Sequence, residues 1–172
     1  MSVYLFIIAM LLLPIGLAGL SLAPWVPTSR ADFARINTHL KLKNGSVFYE
    51  LGSGDGRVCR YIAKHNPQAN VVGIELALPM YLIAVIQQKI SPLKNLSYVH
   101  GNALTYNLSD ADAIYTYALI NTINEKLTPK FLKELTPGTR VISYQFGIKN
   151  WQGKQQVDRS GKSNTCLYVY EV

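Results

Sequence analysis

The sequence predicts an α/β domain built on a mostly parallel sheet, closed by a C-terminal antiparallel hairpin and preceded by one membrane-spanning helix. Three observations predict it. From Ser46 to Val172, short β-rich runs alternate with helical patterns. The first run passes into Val47-Phe48-Tyr49-Glu50-Leu51-Gly52-Ser53-Gly54-Asp55-Gly56-Arg57, an apolar strand with an acid near its end, then three glycines at alternate positions, then a helix. Upstream, no charged side chain occurs from Ser2 to Ser29.

From Val3 to Leu22 the chain is almost wholly apolar, and about 20 such residues span a hydrocarbon core of roughly 30 Å as a helix. Pro14 and Gly16 are tolerated in a membrane helix, and Trp25 falls where an interfacial aromatic belongs. A cleaved signal peptide is the rival reading, but it wants a basic n-region, and none precedes Val3. Arg30, Arg35, Lys41 and Lys43 follow the apolar segment. By the positive-inside rule they place the remainder on the cytoplasmic, or equivalent inner, face. The organisation expected is thus an anchor over 1–22, a connector over 23–45 and a ligand-binding domain over 46–172.

In the connector, Pro24 and Pro27 bar a helix. Thr28 or Ser29 can cap the next helix, expected from Arg30 to about Leu42, with Phe33, Ile36, Leu40 and Leu42 on one face and a stop at Lys43-Asn44-Gly45. Its basic residues can meet lipid phosphates or form a solvated face. Strands are then expected over 47–51, 70–76, 96–100, 112–117 and 139–146, and a hairpin over 154–158 and 164–172. Helices are expected over 57–65, 79–90 and 123–135, the last broken near Thr128-Pro129. The apolar run Met80-Tyr-Leu-Ile-Ala-Val-Ile86 reads as a buried helix, with rest on a membrane as the alternative. Such sheets bind ligands at the carboxyl ends of their strands.

The glycine stretch is neither a dinucleotide loop, which needs Gly-x-Gly-x-x-Gly, nor a P-loop, which needs Gly-Lys-Ser/Thr. Asp55 inside the loop opposes a diphosphate. A less anionic ligand fits: S-adenosylmethionine, a sulfonium with an amino-acid tail and an adenosine. Glu75 ends the second strand, where an acid can accept two ribose hydroxyls. Gly101-Asn102-Ala103 follows the third strand, where a polar group can meet the adenine edge.

Tyr49 to Arg57, Gly73-Ile74-Glu75 and Gly101-Asn102 together resemble the successive motifs of class I S-adenosylmethionine-dependent methyltransferases, with their Rossmann-like sheet. The likeness covers Ser46 to Val172. With the apolar segment and Pro24-Trp25-Val26-Pro27-Thr28 ahead of it, the chain further resembles the small membrane-anchored protein-lysine methyltransferases. These include the lysine methyltransferases of the ATP synthase c-subunit and the adenine nucleotide translocase. The resemblance implies that Glu50, Gly52, Ser53, Gly54, Gly56 and Glu75 contact the cofactor, and Asn102 and Ala103 the adenine. Two departures stand out: Asn102 where many relatives carry Asp, and Ala77-Leu78-Pro79 where relatives carry Asn-Pro. The loop after the fourth strand also lacks the Asn/Asp-Pro-Pro-Tyr signature of enzymes that methylate DNA or glutamine.

The acceptor implied is a lysine of a membrane-associated protein. A small apolar or lipid-like acceptor, or cofactor binding without catalysis, are the alternatives. Tyr117 and Tyr144, at the ends of the fourth and fifth strands, are the expected lining of the acceptor channel. The net charge of +7, from 17 Lys and Arg against 10 Asp and Glu, suits an anionic partner, whether a lipid surface, nucleic acid or an acidic protein, and of these nucleic acid is not expected. Cys59 and Cys166 read as core thiols, and no metal-ligand spacing occurs.

Overall fold

In the computed structural model, residues 26–151, 153–161 and 165–172 are described. The expected anchor over 1–22 lies outside them. Among the described residues no helix is long and apolar enough to cross a membrane.

The sheet has seven strands: β1 (Val47–Leu51), β2 (Asn70–Glu75), β3 (Leu96–His100), β4 (Ala113–Thr116), β5 (Arg140–Tyr144), β6 (Lys154–Asp158) and β7 (Leu167–Glu171). Their spatial order is β3-β2-β1-β4-β5-β7-β6. The first five run parallel, and β7 lies antiparallel between β5 and β6. The order reverses between β1 and β4, and a crevice opens at the carboxyl ends of strands at such a switch point. β1 is central and its last four residues are buried, as a strand covered on both faces requires.

One face carries α1 (Phe33–Leu40) and α2 (Arg57–His65). Phe33, Ile36 and Leu40 of α1 and Val58, Cys59 and Ile62 of α2 meet Phe48, Tyr115 and Tyr144 in one core. Cys59 is a core thiol as expected, and Tyr61 packs against the same core only partly buried. The other face carries a π-helical turn, Thr122–Leu127, running into α4 (Thr128–Glu134), packed through Ile123, Leu127 and Phe131. The break expected near Thr128-Pro129 takes this form because Pro129 cannot donate to the helical ladder. Instead the Thr128 N–H and hydroxyl both reach the Ile123 carbonyl.

Three expectations are corrected. The first helix is a 3₁₀ turn, Arg30–Asp32, followed by α1, and it stops at Lys41 with a left-handed φ of 51° rather than at Lys43-Asn44-Gly45. Neither Thr28 nor Ser29 caps it through a side chain: the Thr28 hydroxyl is spent on Tyr115, 2.6 Å away. Arg35, offered to lipid phosphate, turns inward to Asp32 and Asp158. The apolar helix is α3 (Leu78–Ile90), and it is not buried. It lies on the β2–β3 edge of the sheet, where only Ala84 is fully covered, and Leu78, Leu82, Ile83, Ile86 and Ile90 are exposed. The strands expected over 47–51, 96–100 and 154–158 fall where expected, and the ends of the other four differ by up to three residues, because ladder pairing rather than hydrophobic pattern sets them.

Candidate functional site

The loop after β1 is folded by its backbone. The Gly52 and Ser53 N–H groups both donate to the Ile74 carbonyl, at 2.9 and 3.0 Å, which ties the loop to β2. Gly52, Gly54 and Gly56 have φ of 77°, 55° and 79°, a conformation that side chains resist. The glycine pattern therefore does what its spacing implied and leaves bare backbone at the switch point. Gly56 has a second reason: a Cβ there would collide with the Tyr98 ring, whose hydroxyl donates to the Gly56 carbonyl at 3.0 Å.

Glu75 ends β2 and is pre-set. Its Oε2 accepts the Gly54 N–H and its Oε1 the Ala77 N–H, both at 2.7 Å. Each oxygen keeps a lone pair, so the carboxylate can still accept a pair of ligand hydroxyls. Glu50 faces the amino end of α2 and accepts the Cys59 N–H at 2.8 Å. Burial pushes its carboxyl up to about 8, against the lowering effect of the bond from Cys59. Ser53 is buried, and its hydroxyl has no hydrogen-bond partner. Asp55 is held by Arg57 at 2.9 and 3.0 Å through Nε, so the repulsion that it was expected to exert on a diphosphate is offset. The exclusion of a dinucleotide rests on glycine spacing.

Asn102 lies just past β3, beside Gly101, whose N–H donates to the Glu75 carbonyl at 3.0 Å. Its Oδ1 accepts the Leu104 N–H at 2.9 Å, which fixes the turn. Ala103 packs its methyl into the core. The structure thus gathers Glu50, Gly52, Ser53, Gly54, Gly56, Glu75, Asn102 and Ala103 around the ends of β1, β2 and β3.

The two tyrosines lie past the switch point. Tyr117 and Tyr144 stack edge to face with centroids 4.8 Å apart. Tyr144 is buried and its hydroxyl donates to Asp32 Oδ2 at 2.7 Å, so its phenol belongs to an internal network. Tyr117 is half-buried. The network was not foreseen. Asp32, fully buried, also accepts from Thr165 at 2.8 Å and from Arg35 at 2.9 Å. Thr28 meets Tyr115. These contacts seat residues 28–35 against the ends of β4 and β5. No local pattern could have revealed them, since Asp32 and its partner Thr165 are 133 residues apart.

A family model described as the ANTKMT methyltransferase domain matches residues 50–155. A protein-lysine N-methyltransferase of Saccharolobus islandicus is 33% identical over 151 residues, 87% of this chain and 93% of that protein. A tRNA (guanine-N(7)-)-methyltransferase of Enterococcus faecalis is 37% identical over 76 residues, 42% of this chain and 36% of that protein. An RNA methyltransferase from Salinibacter ruber, solved in complex with S-adenosyl-L-homocysteine, is similar in structure. Its TM-score is 0.77 at 26% identity, covering 86% of this chain and 94% of that one.

Proposed function

The chain belongs to the family described as the ANTKMT methyltransferase domain and is a class I S-adenosylmethionine-dependent methyltransferase, and from that premise we propose that it N-methylates a lysine side chain of a protein. The observation that carries the lysine is the likeness, over nearly the whole of both chains, to the Saccharolobus islandicus protein-lysine N-methyltransferase.

The residues present fit the cofactor. The glycine loop offers backbone without side chains, Glu75 an organised carboxylate for the ribose, and Glu50 a buried carboxyl for a cationic group. When bound, the cofactor supplies a methyl group on a sulfonium; a carbon–nitrogen bond forms as the carbon–sulfur bond breaks, and the electron pair stays on sulfur. The protein then has to present a neutral amine, although a free lysine has a pKa of about 10.4. Burial of the amine against the half-buried Tyr117 ring disfavours the charged form. The proton carried by the methylated nitrogen passes to solvent.

The Val3 to Leu22 segment anchors this activity at a bilayer, with the domain on the inner face and a membrane-associated protein as substrate. Its support is the uncharged run ending at Ser29 and the basic residues after it. An RNA acceptor is the second reading, favoured by the net charge of +7 and by the likeness to the Salinibacter ruber RNA methyltransferase. Incubation of the full chain with methyl-labelled S-adenosylmethionine and total protein, RNA and lipid from the source cells separates these. Label recovered as methyl-lysine after protein hydrolysis is expected. Label confined to RNA or to the lipid extract overturns the proposal. Glu75→Ala should weaken cofactor binding at least about tenfold by calorimetry, as expected for loss of a charge-assisted pair.

A further inference from the structure

β5 ends at Tyr144, and the chain reverses at once. The Phe146 N–H donates to the Tyr144 carbonyl at 2.9 Å across a single residue, Gln145. The φ of Gln145 is 71°. This is a γ-turn with positive φ at its centre, the rarer and more strained of the two kinds. The surroundings hold it in place. The Gln145 N–H donates to the Cys166 carbonyl at 2.8 Å, and the Ser143 hydroxyl donates to the Phe146 carbonyl at 2.5 Å. The same residue carries a second cost. Its side-chain Oε1 is buried and has no hydrogen-bond partner. Buried amide oxygens are nearly always paired, because leaving one bare forfeits its hydration.

Backbone strain and a bare acceptor therefore fall on one residue, which follows the carboxyl end of β5, the end of the sheet at which ligands of such folds bind. β4 and β5 run parallel with Thr116 level with Ser143, so Tyr117 is level with Tyr144 and Gln145 lies one residue further out. β5 is two strands from β1, about 10 Å at ordinary strand spacing, on the far side of the switch point from Glu75. Strain of this kind persists where function requires a side chain to be aimed.

We propose that Gln145 binds the acceptor amine, its Oε1 taking a hydrogen bond from the lysine nitrogen beside the Tyr117 ring. The inference rests on the lysine reading above. The chemistry suits an amide better than an acid. A carboxylate at this position would stabilise the ammonium, which has no lone pair to attack with. A neutral amide oxygen orients one N–H of the free amine and leaves its lone pair for the methyl carbon. The nearest carboxylate of the Tyr144 network, Asp32, is already occupied by Tyr144, Thr165 and Arg35.

The left-handed backbone supplies the control. Glycine accepts that φ freely, so Gln145→Gly removes the amide and relieves the strain together. The full chain and its variants are assayed with labelled cofactor and total cell protein, and methyl-lysine is counted after hydrolysis. Gln145→Gly should melt no lower than wild type and bind S-adenosylmethionine with unchanged Kd, while methyl-lysine formation falls about tenfold or more, the loss of one hydrogen bond in the reacting complex. Gln145→Asn, which tolerates the left-handed region and keeps an amide, should recover part of the rate. Gln145→Glu should move the pH–rate profile to higher pH by holding the lysine proton. A Gln145→Gly rate within twofold of wild type overturns the proposal, and so does a rate loss matched by loss of cofactor binding and melting temperature. If wild type places label only outside lysine, the lysine reading itself has failed, and Gln145 with it.

Discussion

At Glu50, burial and hydrogen bonding pull one carboxyl in opposite directions. The Cys59 N–H at the start of α2 favours the charge, yet burial wins and raises the group from 4.5 to about 8. In the unfolded chain it ionises near 4.5, so from there to about 8 the folded state holds a proton that the unfolded state has released. Glu50 therefore costs no stability at acid pH and removes stability progressively as the pH rises from there to about 8. Chemical denaturation of wild type should show an unfolding free energy that falls between pH 5 and pH 8. Glu50→Gln should flatten this slope, and an equally steep slope in the variant would refute the assignment. A cationic ligand beside Glu50 draws its proton off, so cofactor binding at pH 7 should release protons, measurable by calorimetry in buffers of different ionisation enthalpy. Gly56 sharpens a different point. Its place in the loop is legible from the glycine spacing, but the Tyr98 ring that excludes a Cβ comes from β3, 42 residues away. Gly56→Ala should cost about 1–2 kcal/mol for the left-handed φ alone, and more for moving Tyr98. The readout is a lower melting temperature together with weakened cofactor binding, because Tyr98 supports the loop from beneath.

Elements were legible wherever pattern and burial agree. The glycine-capped helix α2 begins and ends where its periodicity places it, from Arg57 to His65, because β1 and the loop deliver a complete start signal. α3 shows where composition misleads. A helix apolar on most sides reads as buried, but burial depends on what lies beyond it. On the β2–β3 edge only one stripe of α3, centred on Ala84, finds a partner. Ile62, wholly buried in α2, and Ile86, 54% exposed in α3, thus make a matched test. Ile62→Ala should cost about 2–5 kcal/mol by urea denaturation, as core truncations do. Ile86→Gln should change stability by less than about 0.5 kcal/mol. A large loss at Ile86 would mean that the exposed face of α3 is covered in the folded protein.

Across the whole molecule, the proposed cofactor half and the proposed acceptor half are held by different means. The glycine loop, Glu50, Glu75 and Asn102 lie within 53 residues of one another, on consecutive strand–turn units, and their motif is readable in order. The proposed acceptor half is assembled from afar. Residues 28–35 reach it from before β1, β4 and β5 supply Tyr115 and Tyr144, and the C-terminal hairpin supplies Thr165 and Asp158. Asp32 is the common point, and nothing adjacent to it in sequence signals the role. The two halves should therefore come apart under mutation. Asp32→Asn keeps the size but removes the charge that pairs with Arg35 and turns an amide toward the Tyr144 and Thr165 hydroxyls. It should cost about 1.5–3 kcal/mol, the worth of a buried hydrogen bond to a charged group. Hydrogen exchange should rise in α1, at the end of β5 and at the start of β7, while β1 to β3 stay protected and the Kd for S-adenosylmethionine holds. Methyl-lysine formation should fall, because the end of β5 that carries Tyr144 and Gln145 has lost its brace. Exchange rising evenly over all seven strands, with cofactor affinity lost in step, would mean instead that the sheet responds as one unit and that Asp32 serves stability alone.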